Sequence, residues 1–212
     1  MPYLGRIVAA GLNRAGRPCA MYRVSSRSFP NREAVIHDGL ISIVPRAGFE
    51  GDLRKNPYIA YNCLRRAGDF MVATNGSQTD PIAEKIAMNM PVRDAVTLGL
   101  LAMDYEKDSL DTPRIVAVIG KNAPVCTLGI VRKNAVLVRE FELKAGVLFY
   151  LSTYECNQPC DNQTDTAFDA PDAPSACGYV LSGGVFSAFT NPVTAACAVF
   201  DGQDFQLAAQ DA

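Results

Sequence analysis

The sequence predicts an α+β protein in which hairpins of antiparallel strands pack against a few helices. Short apolar segments at the start of the chain are joined by tight turns. The apolar spacing changes from strand-like to helix-like in the middle, and strand-like segments then return. At 212 residues the chain can bury a substantial core without disulfides or metals. A single domain spanning residues 1–212 is therefore expected.

Tight turns define the strands in the first third of the chain. Asn13 and Gly16 mark a turn between the first two apolar segments, and Asp38-Gly39 is a strong hairpin signal between the next two. Gly68 marks a similar turn further along. Because all these links are short, the strands should pair in antiparallel fashion. The predicted strands here cover residues 7–10, 19–24, 34–37, 40–44, 61–66 and 70–74.

The middle of the chain predicts two helices. Asp80 followed by Pro81 is a favourable N-cap and first-turn pair, so a short helix is expected over residues 82–90. Pro91 can open a second helix. Apolar residues then recur at helical spacing on one face, at positions 92, 95, 96, 99, 100 and 103.

Strands return in the second half of the chain. Residues 155–174 are rich in Asn, Asp, Gln and Pro and should form an exposed loop. Residues 176–181 should form a helix that ends at Gly183-Gly184, and Asp201-Gly202 should turn a final hairpin. The predicted strands here cover residues 115–119, 126–131, 135–138, 147–152, 196–200 and 205–208.

Charge and hydropathy exclude several classes of partner. The formal net charge of −2 provides no broad electrostatic surface for nucleic acid. No apolar segment approaches the roughly 20 residues needed to cross a bilayer, so no membrane partner is expected. The seven cysteines are odd in number, and the first residues lack the pattern of a secretion signal. Free thiols in the cytoplasm are therefore expected, and a homo-oligomer is compatible with the sequence.

The supply of reactive side chains excludes several familiar chemistries. His37 is the single histidine and stands beside a predicted turn. The sequence therefore argues against a histidine-dependent catalytic triad and against a metal site with several histidine ligands. Cys156 and Cys160 form one C-x-x-x-C pair without a second pair at zinc-finger spacing. Pro2, which would lead the chain after removal of Met1, is not an N-terminal nucleophile. No metal or organic cofactor is expected.

Four polar clusters in the first half of the chain are candidates for holding and converting a small anionic metabolite. Residues 22–32 contain three arginines and three serines, whose donors suit phosphate or carboxylate. Residues 74–80 lead into a predicted helix, and the free N–H groups at a helix N-terminus suit an anion. A solvated loop and an ordinary helix cap explain these two clusters equally well.

The other two clusters supply candidate acids and bases. Residues 56–63 place two tyrosines and two asparagines at a strand start, and a tyrosine can exchange a proton in a dry site. Aromatic packing is the alternative there, and a structural thiol is the favoured interpretation of Cys63. Residues 104–108 place acidic groups at a predicted helix C-terminus, where they oppose the macrodipole. Because such inconsistencies concentrate at functional sites, Glu106 is a candidate acid/base.

Taken together, these segments resemble the archaeal-type IMP cyclohydrolases. The resemblance rests on Tyr-Arg-Val-Ser-Ser-Arg-Ser-Phe-Pro-Asn-Arg at 22–32, Asn-Pro-Tyr-Ile-Ala-Tyr-Asn-Cys at 56–63, Thr-Asn-Gly-Ser-Gln-Thr-Asp at 74–80 and Met-Asp-Tyr-Glu-Lys-Asp at 103–108. Asp-Thr-Pro-Arg at 111–114, Ser-Thr-Tyr-Glu at 152–155 and Asn-Pro-Val-Thr-Ala-Ala at 191–196 extend it nearly end to end. It implies a four-layer α-β-β-α sandwich resembling the N-terminal-nucleophile hydrolase fold, without the N-terminal nucleophile.

The resemblance also implies a reaction, the last step of de novo purine biosynthesis. In that step 5-formamidoimidazole-4-carboxamide ribotide closes to IMP and releases water. The implied catalytic residues are Arg32, Tyr61 and Glu106. Glu106 would take or relay the amide proton, Tyr61 would donate to or orient the formyl oxygen, and Arg32 would stabilise developing negative charge. The residues expected to contact the ribotide substrate are Arg23, Ser25, Arg27, Asn62, Asn75, Gly76, Ser77, Asp104, Thr153 and Tyr154.

Two features of the sequence depart from the family's pattern. Family members commonly have histidine where Gln78 stands, so no imidazole is available there. The stretch from Cys156 to Cys160 also differs from typical members. Two other functions remain open: a small-amide amidohydrolase of similar fold, which would need Cys63 or a serine as nucleophile, and a non-catalytic module that binds purine nucleotides.

Overall fold

Two antiparallel sheets form the centre of the molecule, for which a computed structural model describes residues 3–212. Pro2, and with it the expectation about the N-terminal nucleophile, lies outside the described residues. The first sheet contains β1 (Ile7–Leu12), β2 (Pro18–Ser25), β10 (Val147–Ser152), β11 (Thr164–Asp165), β12 (Pro192–Phe200) and β13 (Phe205–Asp211). Its strand order is β11-β10-β1-β2-β12-β13.

The second sheet has seven strands that follow one another in chain order. They are β3 (Arg32–His37), β4 (Leu40–Pro45), β5 (Tyr61–Ala67), β6 (Phe70–Thr74), β7 (Arg114–Gly120), β8 (Val125–Arg132) and β9 (Ala135–Glu142). The predicted hairpin at Asp38-Gly39 is confirmed, because His37 pairs with Leu40. The turn after β5 is one residue shorter than predicted, since Ala67 pairs with Phe70.

Four α-helices accompany the sheets in the described part of the chain. They are α1 (Asp52–Lys55), α2 (Thr79–Ala87), α3 (Val92–Met103) and α4 (Ala173–Ser182). Short 3-10 helices cover Pro57–Ile59 and Gly184–Ala188.

Helix α2 begins earlier than predicted, and Asp80 is not its N-cap. The amide of Thr79 donates to the carbonyl oxygen of Gly76, so the turn before the helix already satisfies its first N–H groups. Asp80 lies in the first turn and accepts hydrogen bonds from Asn62 and Arg65 instead. The predicted cap was wrong for two reasons. The carbonyl oxygen of Gly76 takes the place of a side-chain cap, and the Asp80 carboxylate is bound by Asn62 and Arg65 from a neighbouring strand.

The loop predicted over residues 155–174 is only partly exposed. Thr164–Asp165 form β11 at the edge of the first sheet, and the side chains of Phe168 and Ala170 are fully buried. Helix α4 starts three residues before the predicted one, at Ala173, where Asp172 caps it through the amide of Ser175.

Three apolar clusters place the helices outside the sheets. One lies between the two sheets, for example at Val8 and Ile115, and a second lies between the first sheet and α4. The third packs α2 and α3 on the outer face of the second sheet, where Ile82 and Val96 are fully buried. A mixed α and β architecture with antiparallel sheets and a few helices is therefore confirmed.

Two further expectations can be compared with this fold. In residues 3–212 no helix is both long and apolar enough to cross a bilayer. All seven cysteines are free thiols, as expected, and five of them are buried.

Candidate active site

Residues from all four polar clusters line two adjoining cavities at one end of the sheets. The main cavity has a volume of about 140 Å³ and includes Arg27 and Arg32 in its wall. The side cavity has a volume of about 40 Å³ and includes Tyr61 in its wall. Tyr58 and Glu106 line both cavities, so Glu106 stands where the two meet.

Glu106 is a buried carboxylate held between two arginines. Its side chain is 1% exposed, and Arg6 Nη2 lies 3.1 Å from Oε2. Arg114 Nη1 lies 3.8 Å from Oε1, beyond hydrogen-bonding distance, and no residue of 3–212 donates a hydrogen bond to Oε1. The backbone amide of Glu106 donates to the carbonyl oxygen of Thr112, which anchors the loop that carries it.

The environment of Glu106 suits a group that exchanges protons near neutral pH. Burial raises the pKa of its carboxyl to about 7, because a carboxylate loses its hydration there, and the charges of Arg6 and Arg114 only partly oppose that effect. A general base works best when its pKa is near the operating pH. Burial alone would lower the pKa of the Arg6 guanidinium, but Glu106 acts together with Tyr61, Tyr154 and Tyr22 to raise it above its usual range.

A pair of tyrosines lies next to this carboxylate. The hydroxyls of Tyr22 and Tyr61 are 2.6 Å apart and share a hydrogen bond. Burial raises the pKa of both phenols, although the charges of Arg32 and Arg6 oppose it at Tyr61. Tyr61 is therefore a neutral phenol at pH 7 that can donate a proton or a hydrogen bond.

Arg32 stands at the start of β3 and is almost fully buried. Its Nε donates to the carbonyl oxygen of Phe29 at 3.0 Å, and this bond fixes the guanidinium in the wall of the main cavity. Its positive charge acts on Tyr22, Tyr61 and Glu106 and favours the ionised form of each. The three residues implied by the resemblance thus share one electrostatic environment.

The mouth of the main cavity combines a cation with stacked aromatic rings. The Arg27 guanidinium lies 4.1 Å from the centroid of the Tyr3 ring, and Tyr3 stacks on Tyr154 with centroids 5.8 Å apart. Ser26 and Ser28 flank Arg27 in the same wall. A cationic, hydroxyl-rich mouth of this kind suits an anionic group attached to a ring system.

Comparison with known proteins assigns the chain to a family. A family profile described as "IMP cyclohydrolase-like protein" matches residues 3–204. The chain belongs to the IMP cyclohydrolase-like family. Curated relatives named IMP cyclohydrolase include one from Methanococcus aeolicus, 42% identical over 97% of this chain and 98% of its own length. Another, from Methanosphaera stadtmanae, is 44% identical over 97% of both chains. A third, from Methanocaldococcus jannaschii, is 39% identical over 97% of this chain and 98% of its own length.

In this member of the IMP cyclohydrolase-like family, two of the expected ligand residues serve the fold instead. Arg23 is fully buried, and its guanidinium donates to five backbone carbonyl oxygens between residues 180 and 190 and to Ser25 Oγ. With its donors engaged in this way, Arg23 lies outside both cavities and cannot hold a phosphate. Ser25 is likewise 1% exposed and occupied by Arg23.

Four other residues expected to contact the substrate lie outside both cavities and bond to the protein instead. Asn62 bonds to Ser42 and Asp80, and Asn75 bonds to the backbone of Pro113 and Ile115. Thr153 Oγ1 bonds to Leu4 and to the amide of Arg6. Asp104 pairs with Lys107 in the exposed part of the loop. Gly76, Ser77 and Tyr154 do line the cavities.

Sequence reasoning missed the two arginines that flank Glu106. Arg6 lies just before β1 and outside the strand predicted over residues 7–10, and Arg114 lies at the end of the quoted Asp-Thr-Pro-Arg segment. Each arginine immediately precedes or begins an apolar strand, next to residues that must be buried. This position could have identified both arginines as candidate site residues, because a charged side chain next to buried residues is either paired with an opposite charge or functional.

Proposed function

We propose that this protein is an IMP cyclohydrolase that closes the formamidoimidazole-carboxamide ribotide to IMP with loss of water. The observation that carries the proposal is Glu106, a buried carboxyl with a pKa of about 7 whose Oε1 is free to accept a proton where two cavities meet. Membership of the IMP cyclohydrolase-like family and the names of the curated relatives support the same activity.

The proposal extends to the whole chain. Residues 1–212 would form one IMP cyclohydrolase-like domain, a four-layer α-β-β-α sandwich resembling the N-terminal-nucleophile hydrolases. The three apolar clusters, one between the sheets and one on each outer face, support that arrangement. The enzyme would act in the cytoplasm, a reducing compartment that keeps its thiols free.

Ring closure needs a weak nucleophile to attack a formyl group of the same molecule. The carboxamide nitrogen forms a bond to the formyl carbon and loses a proton, which Glu106 Oε1 accepts. The formyl oxygen gains a proton from Tyr61 and becomes the hydroxyl of a carbinolamine. Holding the two groups face to face removes several kcal/mol of the barrier, because orientation replaces a search.

The second step releases water and restores both residues. The protonated Glu106 returns its proton to the leaving hydroxyl, which departs as water, and the former formamide N–H proton returns to the Tyr61 oxygen. Arg32 stabilises the negative charge that develops on the formyl oxygen in the first step, since its positive charge acts on Tyr61 within a buried site.

The 5′-phosphate is assigned to the mouth of the main cavity. Arg23 is engaged by the fold and Arg32 is buried in the cavity wall, so Arg27 is the exposed arginine of cluster 22–32 at the cavity. Ser26 and Ser28 provide short hydroxyl donors beside it. A phosphate anchored there would direct the imidazole ring inward, toward Glu106.

A direct assay tests the proposal against its alternatives. Purified protein is given the formamido ribotide in the presence of a chelator, and IMP formation is followed by absorbance. We expect turnover well above the buffer rate. Tight binding of purine ribotides without turnover would instead identify a binding module.

The amidohydrolase alternative depends on an internal nucleophile. Cys63 is fully buried between the sheets, and burial raises the pKa of its thiol well above the usual range. A thiol of that kind is a poor nucleophile. Loss of activity on alkylation of Cys63 would nevertheless favour this alternative, and full activity after alkylation would remove Cys63 from consideration.

A further inference from the structure

A fully buried glutamine determines where one of the two arginines beside Glu106 lies. Gln78 Nε2 donates to Asn75 Oδ1 at 2.9 Å and to the carbonyl oxygen of Ile115 at 3.1 Å. These two acceptors fix the orientation of the amide, because the flipped amide would place oxygen against oxygen. Gln78 Oε1 is thereby directed at Arg114 and accepts from its Nη1 at 2.9 Å.

The same guanidinium nitrogen has a second acceptor nearby that it does not reach. Arg114 Nη1 lies 3.8 Å from Glu106 Oε1, which is too far for a hydrogen bond. Within the described chain Oε1 therefore remains an unbonded carboxylate oxygen in a buried site. Nη1 carries two N–H groups, yet of these two acceptors only Gln78 Oε1 lies within hydrogen-bonding distance of it.

The turn before α2 also fixes Arg114. A Cβ on Gly76 would lie 2.3 Å from Arg114 Nη1, so only glycine leaves room for the guanidinium. Asn75 Nδ2 donates to the carbonyl oxygen of Pro113, and Asn75 Oδ1 accepts from the amide of Ile115. The turn is therefore tied to the start of β7 on both sides of Arg114.

We infer that Gln78 is a positioning residue for the proton transfer: it holds the Arg114 guanidinium away from Glu106, so that Oε1 stays open to the proton of the substrate. The inference rests on the proposed role of Glu106 and adds a residue that touches neither substrate nor carboxylate. In this inference the Asn75-Gly76-Ser77-Gln78 turn positions Arg114, whereas the sequence analysis considered the turn for binding an anion.

Removal of the Gln78 acceptor should let Arg114 move. A buried donor without a partner is unfavourable, and Glu106 Oε1, 3.8 Å from Nη1, is an acceptor that a small movement of the guanidinium would reach. A direct charge-assisted bond would stabilise the carboxylate and occupy the oxygen that must accept a proton. The other charged groups that act on Glu106 are Arg6, Arg32 and Asp108. None of the three bonds to Gln78, so we expect them to stay in place when Gln78 alone is replaced.

The first test is Gln78→Met, which keeps the length of the side chain and removes its acceptor. The titration of Glu106 is followed by ¹³C NMR of its carboxyl carbon, assigned with Glu106→Gln. We expect the pKa of Glu106 to fall by about one unit or more and kcat to fall about tenfold or more, with KM changing less. A Glu106 pKa that is unchanged or raised would overturn the inference.

Gln163→Met is the matched control, because Gln163 is also a buried glutamine whose Nε2 donates to a backbone carbonyl oxygen, that of Gln158. It lies outside both cavities, so the titration of Glu106 should not change. An equal fall in this control would show a general effect of losing a buried amide and would also overturn the inference.

A second variant covers the case in which Gln78→Met does not fold. Gln78→Asn keeps a buried amide but is one methylene shorter, so its oxygen should no longer reach Arg114 Nη1 and the pKa of Glu106 should fall as in Gln78→Met. An unchanged or raised pKa of Glu106 in Gln78→Asn would contradict the inference. The NMR titration needs no turnover. A wild-type protein that forms no IMP but shows the expected shifts would refute the proposed function and leave the positioning of Arg114 by Gln78 supported.

Discussion

Two arginines only four residues apart in the sequence have different roles in this molecule. Arg23 and Arg27 belong to the same polar cluster, yet one is saturated by backbone carbonyls and the other stands at the cavity mouth. Arg23 is fully buried, and the loss of hydration lowers the pKa of its guanidinium to about 10. Amino-acid composition alone does not distinguish the two roles, since both side chains offer the same guanidinium to a phosphate or to a carbonyl oxygen.

A pair of matched substitutions separates these two tasks. Arg23→Met should lower the free energy of unfolding by about 3–5 kcal/mol, because several buried carbonyl oxygens lose a charged donor. Arg27→Met should change it by less than about 1 kcal/mol and raise KM for the ribotide at least about tenfold. Denaturant unfolding and steady-state kinetics on both variants check this. A larger loss of stability in Arg27→Met than in Arg23→Met would reverse the assignment.

Tyr61 is the proposed donor to the formyl oxygen. Tyr61→Phe should lower kcat about a hundredfold while leaving the affinity for IMP nearly unchanged, because it removes one hydroxyl and keeps the ring. Steady-state kinetics and IMP titration measure the two effects. Near-normal turnover in this variant would assign the proton to another group.

At the scale of elements, the packing of α2 on α3 depends on one glycine. A Cβ on Gly99 would lie 2.4 Å from Ile82 Cγ1, so the helices approach more closely than any other residue allows. The Gly76 turn, which leads directly into α2, places Gln78 and Arg114 beside the cavity. The separation of the helices therefore bears on the geometry of the site.

Two helix glycines provide the corresponding test. Gly99→Ala should destabilise the fold by about 1–3 kcal/mol through overpacking. Gly178→Ala in α4 should instead stabilise it by about 0.5–1 kcal/mol, because alanine favours the helix and the nearest atom to the new Cβ is Gln210 Oε1 at 3.9 Å. Thermal unfolding of the two variants distinguishes them. A stabilising Gly99→Ala would show that the helices can separate without cost.

Elements with strong local signals were predictable, and those set by distant contacts were not. Tight glycine turns and helical spacing identified the hairpin at Asp38-Gly39 and the helix Val92–Met103. The start of α2 was misplaced because Gly76 and Asn62, not Asp80, determine its first turn. The strand Thr164–Asp165 was missed because only its partner β10 makes it a strand.

On the scale of the whole molecule, strand topology brings the four clusters together. Strands β3, β5 and β7 are separated from one another by single antiparallel strands. All three therefore run in the same direction and begin at the same end of the second sheet. Arg32, Tyr61 and Arg114 are their first residues. The resemblance named two of these three residues. Their convergence, and the arginine pair around Glu106, required the sheet order that sequence spacing does not give.

The most direct test of the central claim is the pH dependence of ring closure in the wild-type enzyme, with Glu106→Gln as its counterpart. A base must be deprotonated to accept the amide proton, and the pKa of Glu106 is about 7. We therefore expect kcat/KM to fall tenfold per pH unit below about pH 7. The phosphate of the substrate also titrates in this range, so the affinity for IMP is measured at each pH to separate its effect on binding from the titration of Glu106. Glu106→Gln should bind IMP and lose about a hundredfold or more of turnover. A rate that stays level from pH 8 down to 5.5, or a Glu106→Gln variant with near-normal turnover, would contradict the account.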